Sequence, residues 1–250
     1  MLKKRVIPTL LLKGNRVVKG KNFGSYIDTG DPVTTFRVLN AQDSDELVFI
    51  DISEKTNESY LTHILKLAAS ECFMPLTVGG YLHDIEYMRS LLRHGADKLL
   101  ITSSCFKNPS IVKEAVKEFG SQCIVAGVDY KLTYCRRQVF IDKGLTDIGM
   151  EVESYIDKII DLGIGEIFFN SISHDGIMNG CDLPLLEYLS KRLSVPFIYS
   201  GGVGNLQHLE EALEFADAIS CGSFFLLSDN SPMRTRSYLR NKDFPIRRLK

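Results

Sequence analysis

Tryptophan is absent from this 250-residue chain and histidine is scarce, with five residues and no His-x-x-x-His or similar ligand spacing. His63, His83, His94, His174 and His208 therefore read as surface or helix-face residues, and no metal centre is expected. The six cysteines, at 72, 105, 123, 135, 181 and 221, include no Cys-x-x-Cys pair. Their apolar strand and helix contexts predict buried free thiols of a cytoplasmic protein, not disulfides or zinc ligands. Excess charge is missing too: the net charge is −1 with Lys and Arg spread along the chain, so no nucleic-acid partner is expected. No apolar run approaches the roughly 18 to 20 residues of a membrane span. The basic start is followed by an apolar run broken by Pro8 and Lys13, which argues against a signal peptide. The tail from Arg234 to Lys250 reads as a solvated surface helix with a frayed end.

What the chain does have is 44% apolar content, enough for one large core, and an internal repeat. Glu46-Leu47-Val48-Phe49-Ile50 returns as Glu166-Ile167-Phe168-Phe169-Asn170, and the Gly79-Gly80 turn returns as Gly201-Gly202. Ala96-Asp97 with Ser103 matches Ala216-Asp217 with Ser223, and Val6 to Lys13 lies over Ile124 to Lys131, so that Leu11 falls opposite Asp129. The halves, roughly 1–120 and 121–250, are expected to form one pseudo-symmetric domain spanning 1–250.

Eight β-rich runs alternate with helical spacing: Arg5 to Leu12, Glu46 to Ile52, Leu76 to Val78, Lys98 to Thr102, Cys123 to Val128, Glu166 to Asn170, Phe197 to Tyr199 and Ala218 to Cys221. His63, Leu67 and Cys72 mark one expected helix face; Asp84 opens another helix with Met88, Leu91 and Leu92 inward. Strand–helix alternation implies parallel pairing, and eight units in this length predict an α/β fold of the (β/α)8 TIM-barrel type. An open doubly wound sheet is the runner-up, but it does not naturally divide into two equal halves. Residues 134–146 read as a β-hairpin inserted after the fifth strand, overhanging the C-terminal mouth where barrel active sites lie.

The paired turns suggest two phosphate sites across that mouth. Gly79-Gly80 and Gly201-Gly202 let backbone amides approach an anion, and Thr102-Ser103 and Gly222-Ser223 add hydroxyls and amides. Glycines also turn tight strand–helix corners, but the duplication favours binding of a phosphorylated small molecule. Asp175-Gly176 adds a carboxylate and an amide near the second site. Asp129 and Asp51, at the ends of the fifth and second strands, should face the mouth as candidate acids or bases. The bland alternative is a carboxylate that caps a loop or pairs with Lys131; for Asp51 it weighs equally, whereas for Asp129 the functional reading is favoured. Arg5, Glu46, Lys98 and Glu166 stand at the opposite strand ends, where a closed charged ring would ordinarily serve stability.

Taken together, Lys4-Arg5-Val6-Ile7-Pro8, Asn15-Arg16-Val17-Val18-Lys19-Gly20, Asp45-Glu46-Leu47-Val48-Phe49-Ile50-Asp51-Ile52, Gly95-Ala96-Asp97-Lys98, Ser173-His174-Asp175-Gly176 and Ser200-Gly201-Gly202-Val203-Gly204 resemble the cyclase subunits of imidazole glycerol phosphate synthase over nearly the whole chain. The resemblance implies a cofactor-free barrel that receives ammonia from a glutaminase subunit docked at its N-terminal face. Arg5, Glu46, Lys98 and Glu166 match that family's ammonia gate, Asp97 its docking aspartate and Lys19 the lysine of its flexible first loop. Ammonia then crosses the barrel to a bisphosphorylated ribulosyl substrate.

Two departures fall on the chemistry. The family uses two aspartates as acid and base; Asp129 matches the second, but Leu11 replaces the first, a loss on the order of 10²-fold in rate. Tyr81 replaces the third glycine of the first phosphate turn and is expected to crowd that site. This combination, with Leu10-Leu11-Leu12-Lys13 in the first strand, is similar to a divergent branch associated with surface-polysaccharide genes. That branch implies a third partner, a sugar amidotransferase, and acetamidino modification of a lipopolysaccharide-type sugar. Histidine biosynthesis proper and a non-catalytic ammonia adaptor are the alternatives.

Overall fold

A computed structural model describes residues 3–54, 57–134 and 136–247, the side chain of residue 71 excepted. It contains twelve strands: β1 Arg5–Lys13, β2 Arg16–Lys21, β3 Gly24–Gly30, β4 Leu47–Asp51, β5 Leu76–Gly79, β6 Lys98–Ile101, β7 Ile124–Thr133, β8 Arg136–Ile141, β9 Thr146–Glu151, β10 Glu166–Ser171, β11 Phe197–Ser200 and β12 Ala218–Cys221. Eight of them, β1, β4, β5, β6, β7, β10, β11 and β12, pair in parallel and close on themselves through β7–β10 and β12–β1. The closed eight-stranded barrel with helices between strands is the expected (β/α)8 fold.

Its strands form because near-continuous apolar runs are buried on both faces, as parallel strands require. Ile7, Val48, Leu100, Val125, Phe168 and Ile198 fill the inside of the barrel. The outward residues, such as Val6, Phe49, Val78 and Phe169, pack beneath the helices. Among the described residues no helix is long and apolar enough to cross a membrane.

Several expectations need correction. The helix Glu58–Glu71 buries Leu61, Ile64, Leu65 and Ala68, whereas His63 is exposed and Leu67 and Cys72 are only half-buried. The stripe at i, i+3, i+4 and i+7 starting from Leu61 is continuously apolar, so it wins over the one that would bury an imidazole. Asp129 does not end its strand: β7 continues to Thr133 and pairs with β8, which pairs with β9, so the insertion is a three-stranded antiparallel arm. β2 and β3 form a second hairpin, outside the eight runs read from the sequence. Cys105 and Cys221 are buried free thiols, Cys123 and Cys181 are free but half-buried, Cys72 is half-buried, and Cys135 lies outside the described residues.

The tail is not a solvated helix either. The helix Pro232–Arg240 turns Arg236 fully inward, where it pairs with Asp43 at 2.7 Å and approaches Asp45 at 3.3 Å. Lys4 bridges to Ile246, and Arg247 reaches the same two aspartates. Residues 248–250 lie outside the described residues. Removing the fully buried cation leaves Asp43 and Asp45 to the half-exposed Arg247, so Arg236→Met is expected to lower unfolding stability by about 3 kcal/mol, read from denaturant midpoints.

Candidate active site

At the N-terminal end of the barrel, four charges close a ring. Arg5 Nη1 donates to Glu46 Oε2 at 2.8 Å and Nη2 donates to Glu166; Lys98 Nζ reaches Glu46 Oε1 at 3.0 Å and Glu166 Oε2 at 2.9 Å. Thr77 Oγ1 donates to Glu46 Oε1 at 2.8 Å. Each carboxylate thus faces both cations. Burial works against charge on Glu166, yet Arg5 and Lys98 outweigh it and hold that carboxyl below its ordinary range. The same balance raises Arg5 and Lys98 against their own desolvation. Together the four side chains close the bottom of an otherwise apolar interior.

Beside the ring, Asp97 is exposed while its Oδ2 accepts from Leu76 N at 2.8 Å. Its repeat partner Asp217 accepts from Phe197 N at 3.0 Å in the same way. The repeated bond ties each aspartate to the first residue of the preceding strand, a structural duty that explains the motif in both halves. Phe73, 82% exposed, stands on the same face and shares a cavity lining with Asp97.

The C-terminal mouth divides into two lobes. The first, a cavity of about 420 Å³, brings together Asp51, Gly80, Thr102, Ser103 and Asp129. The second and smaller gathers Lys19, Asp175, Gly176, Gly201, Gly202, Gly222 and Ser223. Leu11, Phe23, Ile50 and Asn170 line both and form the divide.

Asp129 is the group with chemistry at its disposal. Burial pushes its carboxyl up to about 7, a hydrogen bond from Asn170 opposes that rise, and the charge of Asp175 adds to it. An acid of that strength exchanges protons readily near neutral pH. Lys131 is not its partner: its Nζ donates to Gly144 O at 2.7 Å and lies over the Phe140 ring. Asp51 is buried and accepts from Ser53 N at 2.9 Å, which supports the capping reading for this residue. Leu11 brings only a hydrocarbon side chain to the divide.

In the second lobe the first hairpin folds inward. Lys19 is buried and its Nζ donates to Asp175 Oδ1, while Asp175 Oδ2 and Ser223 Oγ are buried without partners. Asn22 Nδ2 holds the hairpin by donating to Ile172 O at 2.9 Å and to Ser173 O at 3.0 Å. A Cβ on Gly176 would stand 2.2 Å from Gly20 O, so this glycine is demanded by hairpin packing. Gly202 is required in the same sense, because a Cβ would meet Gly180 O at 1.9 Å, and Gly80 would meet Asp51 O at 2.4 Å. Corner packing and anion access therefore both act on these glycines.

The two serines differ. Ser103 Oγ accepts from Asp142 N at 3.0 Å, so the β8–β9 arm already engages it, whereas its counterpart Ser223 is unengaged.

A model of the histidine biosynthesis protein family matches residues 5–229. The chain is also 39% identical over 253 aligned positions, covering 99% of it and 100% of the relative, to the imidazole glycerol phosphate synthase subunit HisF of Clostridium botulinum (strain Langeland / NCTC 10281 / Type F). The chain belongs to the histidine biosynthesis protein family. Within this family member, Asn170 and Lys143, which line the first lobe, escaped the sequence reading, as did Ser53, whose carbonyl accepts from Lys143. Asn170 pairs in register with Asp129 across β7–β10, and a polar residue at an inward strand position, where its repeat mate is Ile50, was the available signal. Lys143 and Ser53 carried no such signal, since only the fold brings them together. Tyr81, at φ +54°, lines the first lobe and its hydroxyl reaches the Ser53 and Glu54 carbonyls.

Proposed function

We propose that this barrel is the ammonia-receiving synthase subunit of a glutamine amidotransferase complex, and that its own ring-closing chemistry is weak. The observation that carries this reading is the coexistence of a complete charged ring at the bottom with Leu11 facing Asp129 at the top. A ring that only stabilised the barrel could be apolar at equal or lower cost, because burying ions loses as much hydration as pairing restores. Above it, Ile7, Val48, Leu100, Val125, Phe168 and Ile198 offer an apolar interior through which neutral ammonia passes at low cost and ammonium does not. In this reading Arg5, Glu46, Lys98 and Glu166 are the gate, and exposed Asp97 and Phe73 belong to the glutaminase-docking face.

At the mouth, each lobe would hold one phosphate of an elongated bisphosphorylated substrate. Gly80, Thr102 and Ser103 serve one end; Gly176, Gly201, Gly202, Gly222 and Ser223 serve the other, with Lys19 and Asp175 closing over it. Asp129 would then exchange a proton with the reacting centre near neutral pH. The second proton transfer has no carboxylate at position 11. Ammonia arriving here would therefore go mainly to a separate acceptor, which we take to be a sugar amidotransferase forming acetamidino groups on a surface-polysaccharide sugar.

The full-length 39% identity to a HisF subunit favours a second reading, an authentic cyclase of histidine biosynthesis. Purified protein assayed with ammonium salts and the bisphosphorylated ribulosyl substrate separates the two. Under the first reading Leu11→Asp raises turnover at least about 10-fold, a fraction of what a positioned acid or base contributes. Wild-type turnover comparable with that of the Clostridium protein would establish the second reading and remove the first.

A further inference from the structure

We infer that Lys143, on the tip between β8 and β9, supplies the cation of the first anion site, and that Tyr81 is the residue that positions it. Lys143 Nζ donates to Ser53 O at 2.6 Å and to Tyr81 Oη at 2.7 Å, and it also lies 4.9 Å from the centre of the Tyr81 ring. All three contacts are with neutral groups, and among the described residues no carboxylate pairs with this ammonium. Its two hydrogen bonds leave one N–H of three for a ligand. Both Lys143 and Tyr81 line the first cavity together with Gly80, Thr102 and Ser103.

The tip is held firmly enough to set that direction. Asp142, Lys143 and Gly144 are consecutive left-handed residues, at φ +54°, +60° and +77°. Lys107 pairs with Asp142 at 2.6 Å, and Asp142 N donates to Ser103 Oγ. On the other side a Cβ at Gly144 would already stand 3.0 Å from Ile172 and 3.1 Å from Phe23. Loops following β4, β5 and β6 therefore all fasten one tip above one lobe.

The two lobes consequently differ in how their lysine is paired, although Asp51 and Asp129 also line the first. The lysine of the second, Lys19, is neutralised by Asp175, whereas the lysine of the first faces only carbonyl, hydroxyl and ring. Tyr81, anomalous as a turn residue, has a role in this arrangement: it trades a glycine's openness for a hydroxyl and a π face that hold an ammonium in place. The ligand class is a phosphate ester dianion, recognised in part by charge delivered from the inserted arm. This inference rests on the reading that each lobe takes a phosphate.

The test uses the full chain with inorganic phosphate as probe. Crystals soaked in phosphate are expected to show an anion in both lobes of the wild type and in only the second lobe of Lys143→Met. In titration calorimetry the first-lobe affinity should fall at least about 10-fold in Lys143→Met, the size of one charge-assisted hydrogen bond, and largely return in Lys143→Arg. Tyr81→Phe should weaken the site about threefold in the wild-type background and have no effect once Lys143 is Met, since it acts through the lysine. An anion in both lobes of Lys143→Met at unchanged affinity overturns the role of Lys143 and leaves the two-phosphate reading intact. Wild-type protein that takes phosphate in the second lobe alone overturns both. Lys143 is exposed, so these variants are expected to fold, which circular dichroism checks.

Discussion

Asp129→Asn removes between about 10²- and 10⁴-fold of whatever ammonia-dependent ring closure this barrel performs, the range supplied by one positioned acid or base. Asparagine keeps the shape and the neighbour Asn170 but exchanges no proton. The same substitution has an opposite effect on stability. Desolvation at its half-buried position pushes the Asp129 carboxyl up to about 7 in the folded chain, against about 3.9 in an unfolded one. Between those values the folded state holds a proton that the unfolded state has released, so wild-type stability falls as pH rises through this window. Above pH 7 the folded protein carries a poorly solvated carboxylate. Asp129→Asn should therefore be the more stable protein at pH 8, on the order of 2 kcal/mol after allowance for solvent at the mouth. That advantage shrinks as pH falls through 7 and is gone near pH 4. Urea unfolding at pH 8 and pH 5 checks the sign; equal midpoints at both would mean that Asp129 is well solvated and ordinary.

The second large effect lies at the other end of the barrel. Glu46 is 3% exposed and receives Arg5, Lys98 and the Thr77 hydroxyl. Glu46→Ala strands two partly buried cations against Glu166 alone, and breaking one partner out of such a group costs about 3 to 5 kcal/mol. Glu46→Gln keeps one acceptor oxygen for Lys98 and the Thr77 hydroxyl but turns an NH2 donor toward Arg5, so it should cost less than Glu46→Ala while still destabilising the ring. Replacing all four ring members with apolar residues of similar volume is expected to leave stability unchanged or improve it. If the quadruple variant is stable yet uncouples glutamine hydrolysis from ammonia use, the ring is there for transfer; if it unfolds, the ring is there for the fold.

These expectations draw on features of unequal legibility. The barrel was readable because its strands are near-continuous apolar runs and because each half predicts the other: Glu46 announces Glu166, and Asp97 announces Asp217. The mismatch of Leu11 with Asp129 was visible for the same reason. What sequence could not give were contacts between residues far apart that have no repeat mate to flag them. Arg236 sits in a basic tail whose composition says surface, and only packing against Asp43 and Asp45 turns it inward. Tyr81 read as an obstruction because local reasoning follows the backbone; its contact with Lys143, 62 residues away, is set by the fold. Glycines 80 and 202 were legible as close-approach positions, but the approaching atoms at each are protein oxygens as well as any ligand.

The most direct test of the account is the fate of nitrogen from amide-labelled glutamine when the barrel is combined with the proposed glutaminase subunit and supplied with the bisphosphorylated ribulosyl substrate. If the barrel conducts ammonia but closes the imidazole ring poorly, label leaves as free ammonia or enters an added acceptor. Less than about one part in a hundred should then enter imidazole, the deficit expected from one missing proton-transfer group. Incorporation of the label into imidazole in step with glutamine hydrolysis would contradict it.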